Sequence, residues 1–304
     1  MPAPVKSVAS DEELPGSADV VVIGAGPAGL TAATEAARAG LKVFCLDKLA
    51  PGGVLINLGE LHDFEEIWSG PDMASRMTDD AVVAGVEIGF GEVTALSGNG
   101  PWTIETADGE KHTARAIVVA TGLDKGRLGV PNEEAYEGRG ISHCAHCDAP
   151  LYAGLPVIVA GAGGWADYEA KELVGVASEI TMIDAVAGAG LPDVKHLQGR
   201  IVGLEGNDGL QSIMVDTAGE RKSVPASAVF VYVGQRPAAE FLPDSLARSP
   251  DGHIVVDQQG RTSIPTVFAA GDVRAGARYY LSEAIADGQR AAQSVVASLK
   301  KSQS

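Results

Sequence analysis

The apolar positions fall into short unbroken runs, and the order of those runs repeats. Val20-Val21-Val22-Ile23 is β-branched throughout, which predicts a parallel strand buried on both faces. Gly24-Ala25-Gly26-Pro27-Ala28-Gly29 follows at once, and Leu30 to Ala39 reads as an alanine-rich helix closed by Gly40. Glycine commonly stands just past a helix C-terminus. Leu41 to Leu46 is the next strand, ended by Asp47. The order then returns: an apolar strand Pro156 to Ala160, the turn Gly161-Ala162-Gly163-Gly164-Trp165-Ala166, a helix Asp167 to Val176, and a strand Glu179 to Ile183 ended by Asp184. In both copies the acid stands 23 residues after the first glycine. The chain is duplicated at the level of the fold.

Each copy has the full strand–turn–helix–strand context of a dinucleotide site. The glycines permit a tight turn and close approach of a pyrophosphate to the amides at the helix start, and the acid can accept from a ribose. A purely structural glycine turn is the competing reading, and the complete context outweighs it. Between the copies, Met73 to Ala84 reads as a helix ended by Gly85, and Val86 to Phe90 as a strand. Trp102 to Thr106 alternates, Asp108-Gly109 turns, and a second strand runs to Ala120, a hairpin pattern. Leu123 to Gly140 is turn-rich and marks a domain boundary. Gln211 to Val215 and Ser227 to Val233 predict a further hairpin. Near the end, Thr266 to Ala270 is apolar and stops at Gly271-Asp272, ahead of a helix from about Ser282. That places a carboxylate at a sheet's C-terminal edge, where open α/β sheets bind ligands.

Composition narrows the class. A length of 304 residues suits about two domains. The formal charge of −17 argues against a nucleic-acid or anionic-membrane surface, which needs clustered Lys and Arg. No apolar run approaches the ~18 residues of a membrane span, and the start lacks the basic and apolar segments of a signal peptide. With three cysteines there is no disulfide framework, which points to a reducing compartment. The expectation is a soluble, cytoplasmic protein with a flexible tail over residues 1–17.

The candidate chemistry lies in His143-Cys144-Ala145-His146-Cys147-Asp148. A Cys-x-x-Cys pair can close a small disulfide, and nearby positive charge or a helix start activates its thiolates. The rival is a metal site, but His143, Cys144, His146 and Cys147 crowd into five residues and no second cluster completes a tetrahedral set, so no metal is expected. Cys45, between Phe44 and Leu46, reads as a small buried hydrophobe, and His62 as a loop residue.

With these motifs in order, the chain resembles the low-molecular-weight thioredoxin reductase family, flavoprotein disulfide reductases with two dinucleotide folds. The matching stretches are Gly24 to Gly29, Ala120-Thr121-Gly122, Gly140 through Asp148, Gly234-Gln235-Arg236-Pro237, Phe268 to Asp272, and Asp287-Gly288. The resemblance implies an α/β protein with two Rossmann-like dinucleotide-binding domains of three-layer ββα type, the central domain inserted into the FAD-binding domain. The FAD-binding domain would take 18–124 and 248–304, and the central domain, carrying the Cys-x-x-Cys, 125–247. FAD's pyrophosphate would lie on Gly24, Gly26, Pro27, Ala28 and Gly29, its adenosine ribose on Asp47, and its ribityl chain near Asp272. Lys48, Gly53, Val54, Asp63, Val93, Thr121, Gly122, Gly271, Tyr280 and Leu281 are further implied FAD positions. Cys147 would stand near the flavin's reactive carbon, Cys144 would complete the disulfide, and Asp148 would shuttle protons. His146, unusual for the family, would favour the Cys147 thiolate if charged. The resemblance also implies a homodimer and, as substrate, a thioredoxin-like protein or a small-molecule disulfide or dithiol.

The second copy departs from the family. Where NADPH-using relatives carry a His-Arg-Arg cluster, this chain has Asp184-Ala185-Val186-Ala187-Gly188, and no basic residue lies between Lys171 and Lys195. A carboxylate there repels a 2′-phosphate and can receive a 2′-hydroxyl, so NADPH is disfavoured. Gly161, Gly163, Ala166 and Asp184 would hold NADH, yet Trp165 replaces a small residue and Asp167 adds negative charge. Tyr279-Tyr280 stands where the family has Arg-Gln, and Asp63 where it has Asn. Three electron partners stay open: NADH, a reduced carrier such as ferredoxin, or oxygen. A redox-sensing flavoprotein without turnover and a nicotinamide oxidase with a secondary dithiol are the alternatives from other classes.

Overall fold

The computed structural model describes residues 17–61, 68–161, 164–185 and 190–301. Its helices are α1 (Pro27–Arg38), α2 (Gly70–Val83), α3 (Ala145–Asp148), α4 (Gly164–Glu172) and α5 (Leu281–Lys301). The chain divides into two compact units, Met1–Ile56 with Glu60–Gly122 and Pro237–Ser304, and Leu123–Arg236 with Asn57–Gly59.

In the first unit the predicted strand becomes Ser17–Ile23, so Ser17 belongs to the sheet and not to the tail; the remaining tail residues lie outside those described. Ser17–Ile23 pairs in parallel with Val43–Asp47 on one side and with Lys111–Val119 on the other. Val43–Asp47 continues in parallel to Glu87–Phe90, and Lys111–Val119 also takes Val267–Ala269. Beyond Lys111–Val119 the sheet turns antiparallel through Trp102–Thr106 and Val93–Gly98. Strand side chains alternate between faces. Val20 and Val22 therefore pack with Leu30, Ala33, Ala291 and Val295 of the helices, while Val21 and Ile23 pack with Trp102 and Ile104. This is why the run is apolar at every position. Pro27 at the head of α1 has no amide to leave unsatisfied, and Ser69 caps α2 by accepting from the Asp72 amide at 3.1 Å.

The second unit repeats the plan. Pro156–Ala160 pairs in parallel with Glu179–Asp184 and with Ala228–Val231, and the sheet extends to Ile141–Ser142 and Lys195–Gln198. Val157 and Val159 face α4, packing with Ala166, Ala170 and Leu173, whereas Ile158 and Ala160 face Ile201, Ile213 and Val215. The last three belong to an antiparallel sheet of Arg200–Glu205, Ser212–Thr217 and Glu220–Pro225. Each unit thus layers helix, parallel sheet and antiparallel strands.

Two further expectations are corrected. Ser227 to Val233 does not return as a hairpin partner for Gln211 to Val215. Ser212–Thr217 instead closes with Glu220–Pro225 through Ala218-Gly219, and Ala228–Val231, buried at all four positions, enters the parallel sheet. An unbroken apolar strand needs cover on both faces, which a surface hairpin does not give. The chain also rejoins the first unit at Pro237, ahead of the expected 248. Ala239, Leu242 and Leu246 account for this, since they complete the core around Ile104 and Ile117.

Gly288 shows how tightly α5 lies on α1. A Cβ there would stand 2.4 Å from the Ala28 carbonyl oxygen and 2.8 Å from Thr31 Cβ. Gly288→Ala is expected to destabilise the protein by about 2 kcal/mol, as overpacking of a close contact does. Urea unfolding at fixed protein concentration measures it; an unchanged midpoint would contradict the packing described.

Candidate functional site

The first glycine turn is shaped by backbone proximity. Gly24 has φ of +101°, and a Cβ there would fall 2.3 Å from the Ala120 carbonyl oxygen. At Gly29 a Cβ would fall 1.8 Å from the Gly24 carbonyl oxygen. Only glycine lets α1 begin directly at the sheet edge. A Cβ on Gly26, the residue capping α1, would meet nothing within 4 Å. The backbone is therefore open just where the helix presents unpaired amides and positive dipole. These features fit the pyrophosphate of FAD.

Other implied residues gather around that helix start. Asp47 Oδ2 accepts from the Ala25 amide at 2.7 Å and Oδ1 from the Leu49 amide at 2.9 Å. The acid that would meet a ribose already braces the turn. Gly53 lies against Gly26, its ideal Cβ 3.1 Å from Gly26 Cα, and the Cβ of Gly271 would be 2.9 Å from that of Ala28. Thr121 Oγ1 donates to the Ala238 carbonyl at 2.6 Å, and Gly122 follows with φ of +65°. Val93 opens the edge strand, two residues beyond Gly91, whose amide donates to the Asp47 carbonyl at 2.9 Å. Lys48, Val54, Tyr279 and Tyr280 are exposed, and Leu281 begins α5. Asp63 lies outside the described residues.

Asp272 is the electrostatically unusual member. Burial, then repulsion from Asp287, lift its carboxyl to about 6, against the pull of Arg274. Asp287 is buried and accepts from the Gly271 amide at 3.2 Å and from the Arg274 and Arg290 guanidinium groups. In the sequence Asp287 stands out only as part of the Asp287-Gly288 stretch. Its part in holding Gly271-Asp272 depends on α5 folding back over the sheet.

The second glycine turn starts like the first. Gly161 has φ of +125° and donates to Ile183 at 2.8 Å, as Gly24 donates to Leu46 at 2.7 Å. Ala166 is buried and Asp184 ends its strand. Gly163 and the Trp165 side chain lie outside the described residues.

The dithiol is closed: Cys144 and Cys147 form a disulfide with Cα atoms 5.4 Å apart. In that state neither sulfur is a thiolate ligand for a metal. Cys144 caps α3 and is buried, whereas Cys147, in its first turn, is exposed. The Cys147 amide points at Cys144 Sγ at 3.1 Å. Asn57 borders both sulfurs, its carbonyl oxygen 3.8 Å from Cys144 Sγ and its Oδ1 3.6 Å from Cys147 Sγ. Ser142 Oγ donates to Asp148 Oδ2 at 2.7 Å and accepts from the Cys144 amide at 3.2 Å. His146 Nδ1 is 3.3 Å from Glu172 Oε2, and His143 Nε2 is 3.1 Å from Glu137 Oε1. Under the turn, Glu169 accepts from the Ala145 amide and from the Tyr232 hydroxyl, each at 2.7 Å. Ser142, Asn57, Glu169 and Tyr232 were not found in the sequence. Glu169 carried one signal, a carboxylate on the apolar side of α4 between Ala166 and Ala170.

Comparison with known proteins agrees with this geometry. The model of the pyridine nucleotide-disulphide oxidoreductase family matches residues 18–298. A thioredoxin reductase of Listeria monocytogenes is 32% identical, covering 97% of this chain and 98% of its own length. Among solved structures, the thioredoxin reductase of Lactococcus lactis superposes with a TM-score of 0.87 at 30% identity, over 93% of this chain and 99% of that one. A ferredoxin-flavin thioredoxin reductase of Clostridium acetobutylicum gives 0.54 at 25% identity, over 94% and 99%. Two glycine turns, a Cys-x-x-Cys disulfide between them in the chain and a family match over residues 18–298 place this protein in the pyridine nucleotide-disulphide oxidoreductase family, as a flavin-dependent oxidoreductase of the low-molecular-weight thioredoxin reductase type acting on a sulfur group.

Proposed function

We propose that the protein exchanges electrons between FAD and a disulfide or dithiol substrate through Cys144 and Cys147, without NADPH as its reductant. One observation carries this: the Cys144–Cys147 disulfide sits at the head of a helical turn, with the Cys147 amide on the buried sulfur and the other sulfur exposed. Gly24 to Gly29, Asp47, Gly53, Gly271 and Asp272 would hold FAD, which supplies a two-electron carrier when bound. Thiol–disulfide exchange proceeds by thiolate attack through a mixed disulfide. Opening the bond at the exposed Cys147 makes Cys144 the leaving thiolate, and the Cys147 amide is already directed at its sulfur. Asp148 follows Cys147 and is oriented by Ser142. It holds and returns the proton each exchange requires.

The electron source is read from Asp184. Its carboxylate ends the second strand of the second copy, and the sequence between Lys171 and Lys195 contains no basic residue. This favours a free 2′-hydroxyl or no nicotinamide. The ferredoxin-linked relative supports keeping a carrier protein in view. A thioredoxin-like protein or a small dithiol is the expected partner at the sulfurs.

Three outcomes test the reading. Wild-type protein should turn over a disulfide or dithiol many times, and Cys147→Ser should retain flavin while losing at least about a thousandfold in rate, the scale of losing a nucleophile. Sustained turnover by Cys147→Ser would defeat the proposal and favour a nicotinamide oxidase; a single turnover by the wild type would favour a sensor. Anaerobic mixing of oxidised protein with NADH, NADPH, dithiothreitol or reduced ferredoxin, in separate runs, should bleach the flavin band slowest with NADPH among the physiological donors. Fastest bleaching by NADPH would refute the assignment of Asp184. Finally, Asp272 has a raised folded pKa, so in the apoprotein the unfolded chain releases its proton first as pH rises. The resulting destabilisation is absent below about 3.8 and complete above about 6. Asp272→Asn apoprotein should therefore gain about 2 kcal/mol over wild type at pH 7 and nothing at pH 3.5, measured by denaturant titration at the two pH values.

A further inference from the structure

The residues beneath the dithiol turn include an acid that the exchange chemistry does not use. Glu169, on α4, is 1% exposed. Its Oε2 receives the Ala145 amide and the Tyr232 hydroxyl, both at 2.7 Å, and the Ala145 amide also lies 2.9 Å from the Tyr232 oxygen. Ala145 lies directly after Cys144, between the cysteines, so this one side chain holds a backbone amide at the head of the dithiol turn. That amide is a donor that would otherwise remain at the head of α3 to stabilise a thiolate. Burying a carboxyl is costly unless donors satisfy it, and here two do.

We propose that Glu169, oriented by Tyr232, is the positioning residue that fixes the dithiol turn and couples its reduction to uptake of a proton. The inference rests on the disulfide-exchange reading above. Burial raises the proton affinity of Glu169, with Tyr232 and the Ala145 amide opposing that rise and Glu172 adding to it. The titratable groups around it are Tyr232 at the end of its strand, Glu172 on α4, and His146 and Asp148 on α3. Dithiothreitol supplies two electrons as it closes to its cyclic disulfide, and the bond between the two sulfurs breaks. Cys147 takes one proton, Cys144 leaves as thiolate, and Glu169 takes the second proton. A carboxylate bonded to the amide that follows Cys144 and a thiolate on Cys144 would repel through a poorly screened medium. A protonated Glu169 removes that repulsion while still accepting from the Ala145 amide.

The test compares wild type, Glu169→Gln and Tyr232→Phe, each purified with its flavin. Each is equilibrated in mixtures of reduced and oxidised dithiothreitol from pH 5 to 9. The peptide bearing Cys144 and Cys147 is then alkylated and weighed, and thermal melting confirms folding. Glutamine keeps the acceptor but cannot ionise. At low pH, where Glu169 is neutral, wild type and Glu169→Gln should coincide. As pH rises the wild type should become harder to reduce, until the two differ about tenfold in the dithiol/disulfide equilibrium, or about 30 mV. Tyr232→Phe, lacking one donor to the carboxylate, should shift the onset of that divergence to higher pH. Coincident curves at every pH, or an offset independent of pH, would overturn the proposal and leave Glu169 a packing residue. Failure of the exchange reading would look different. The wild type would then lack sustained turnover, while these equilibria could still be measured.

Discussion

The structure depends on how closely a helix start can be brought to the end of a parallel strand. At Gly24 and Gly29 the backbone approaches itself so nearly that any side chain would overlap a carbonyl oxygen. That proximity lets α1 rise from the sheet edge with its amides facing outward, and it sets Asp47 and Gly53 against the same turn. Fold and open helix start therefore share one cause. Where the constraint recurs at Gly161, the same backbone bond returns between the first glycine and the next strand. A duplicated chain has solved one steric problem twice.

Around this scaffold the acids do different work according to what surrounds them. Asp47 is satisfied by two amides and braces a turn. Asp287 lies buried between two guanidinium groups and holds the Gly271 amide. Asp272, beside it, has mostly burial and a like charge for company, and its carboxyl is lifted accordingly. Glu169 is buried with donors on it, and Asp148 sits at the surface of the dithiol turn with a single serine. In a chain of net charge −17, desolvation and partner geometry, not the count of carboxylates, decide where a proton rests.

The disulfide turn shows a similar division. Cys144 is buried, caps α3 and receives the Cys147 amide; Cys147 is exposed. The two sulfurs are unequal before any reagent arrives. One is exposed, and the other is buried with an amide directed at it. That asymmetry is what a two-electron exchange needs if the mixed disulfide is to be resolved in a fixed order.

The sequence by itself determined the parts of this protein whose signals are local. Unbroken apolar runs, glycines at fixed offsets and an acid closing each second strand specify two Rossmann-like units. They do so because both-face burial and close backbone approach restrict residue type position by position. The Cys-x-x-Cys was legible for the same reason, as chemistry written in adjacent residues. What only the tertiary structure decided are the pairings between distant segments. Ala228–Val231 has the composition of either a hairpin arm or a buried strand, and its place was set by the gap in the sheet beside Pro156–Ala160. Ala239, Leu242 and Leu246 joined the first unit because its core had room for them. Glu169 and Tyr232 stand 63 residues apart and meet under Cys144, a contact no periodicity announces. Steric and hydrophobic rules act on neighbours in the chain, whereas the electrostatic character of the site is created by groups that only folding brings together.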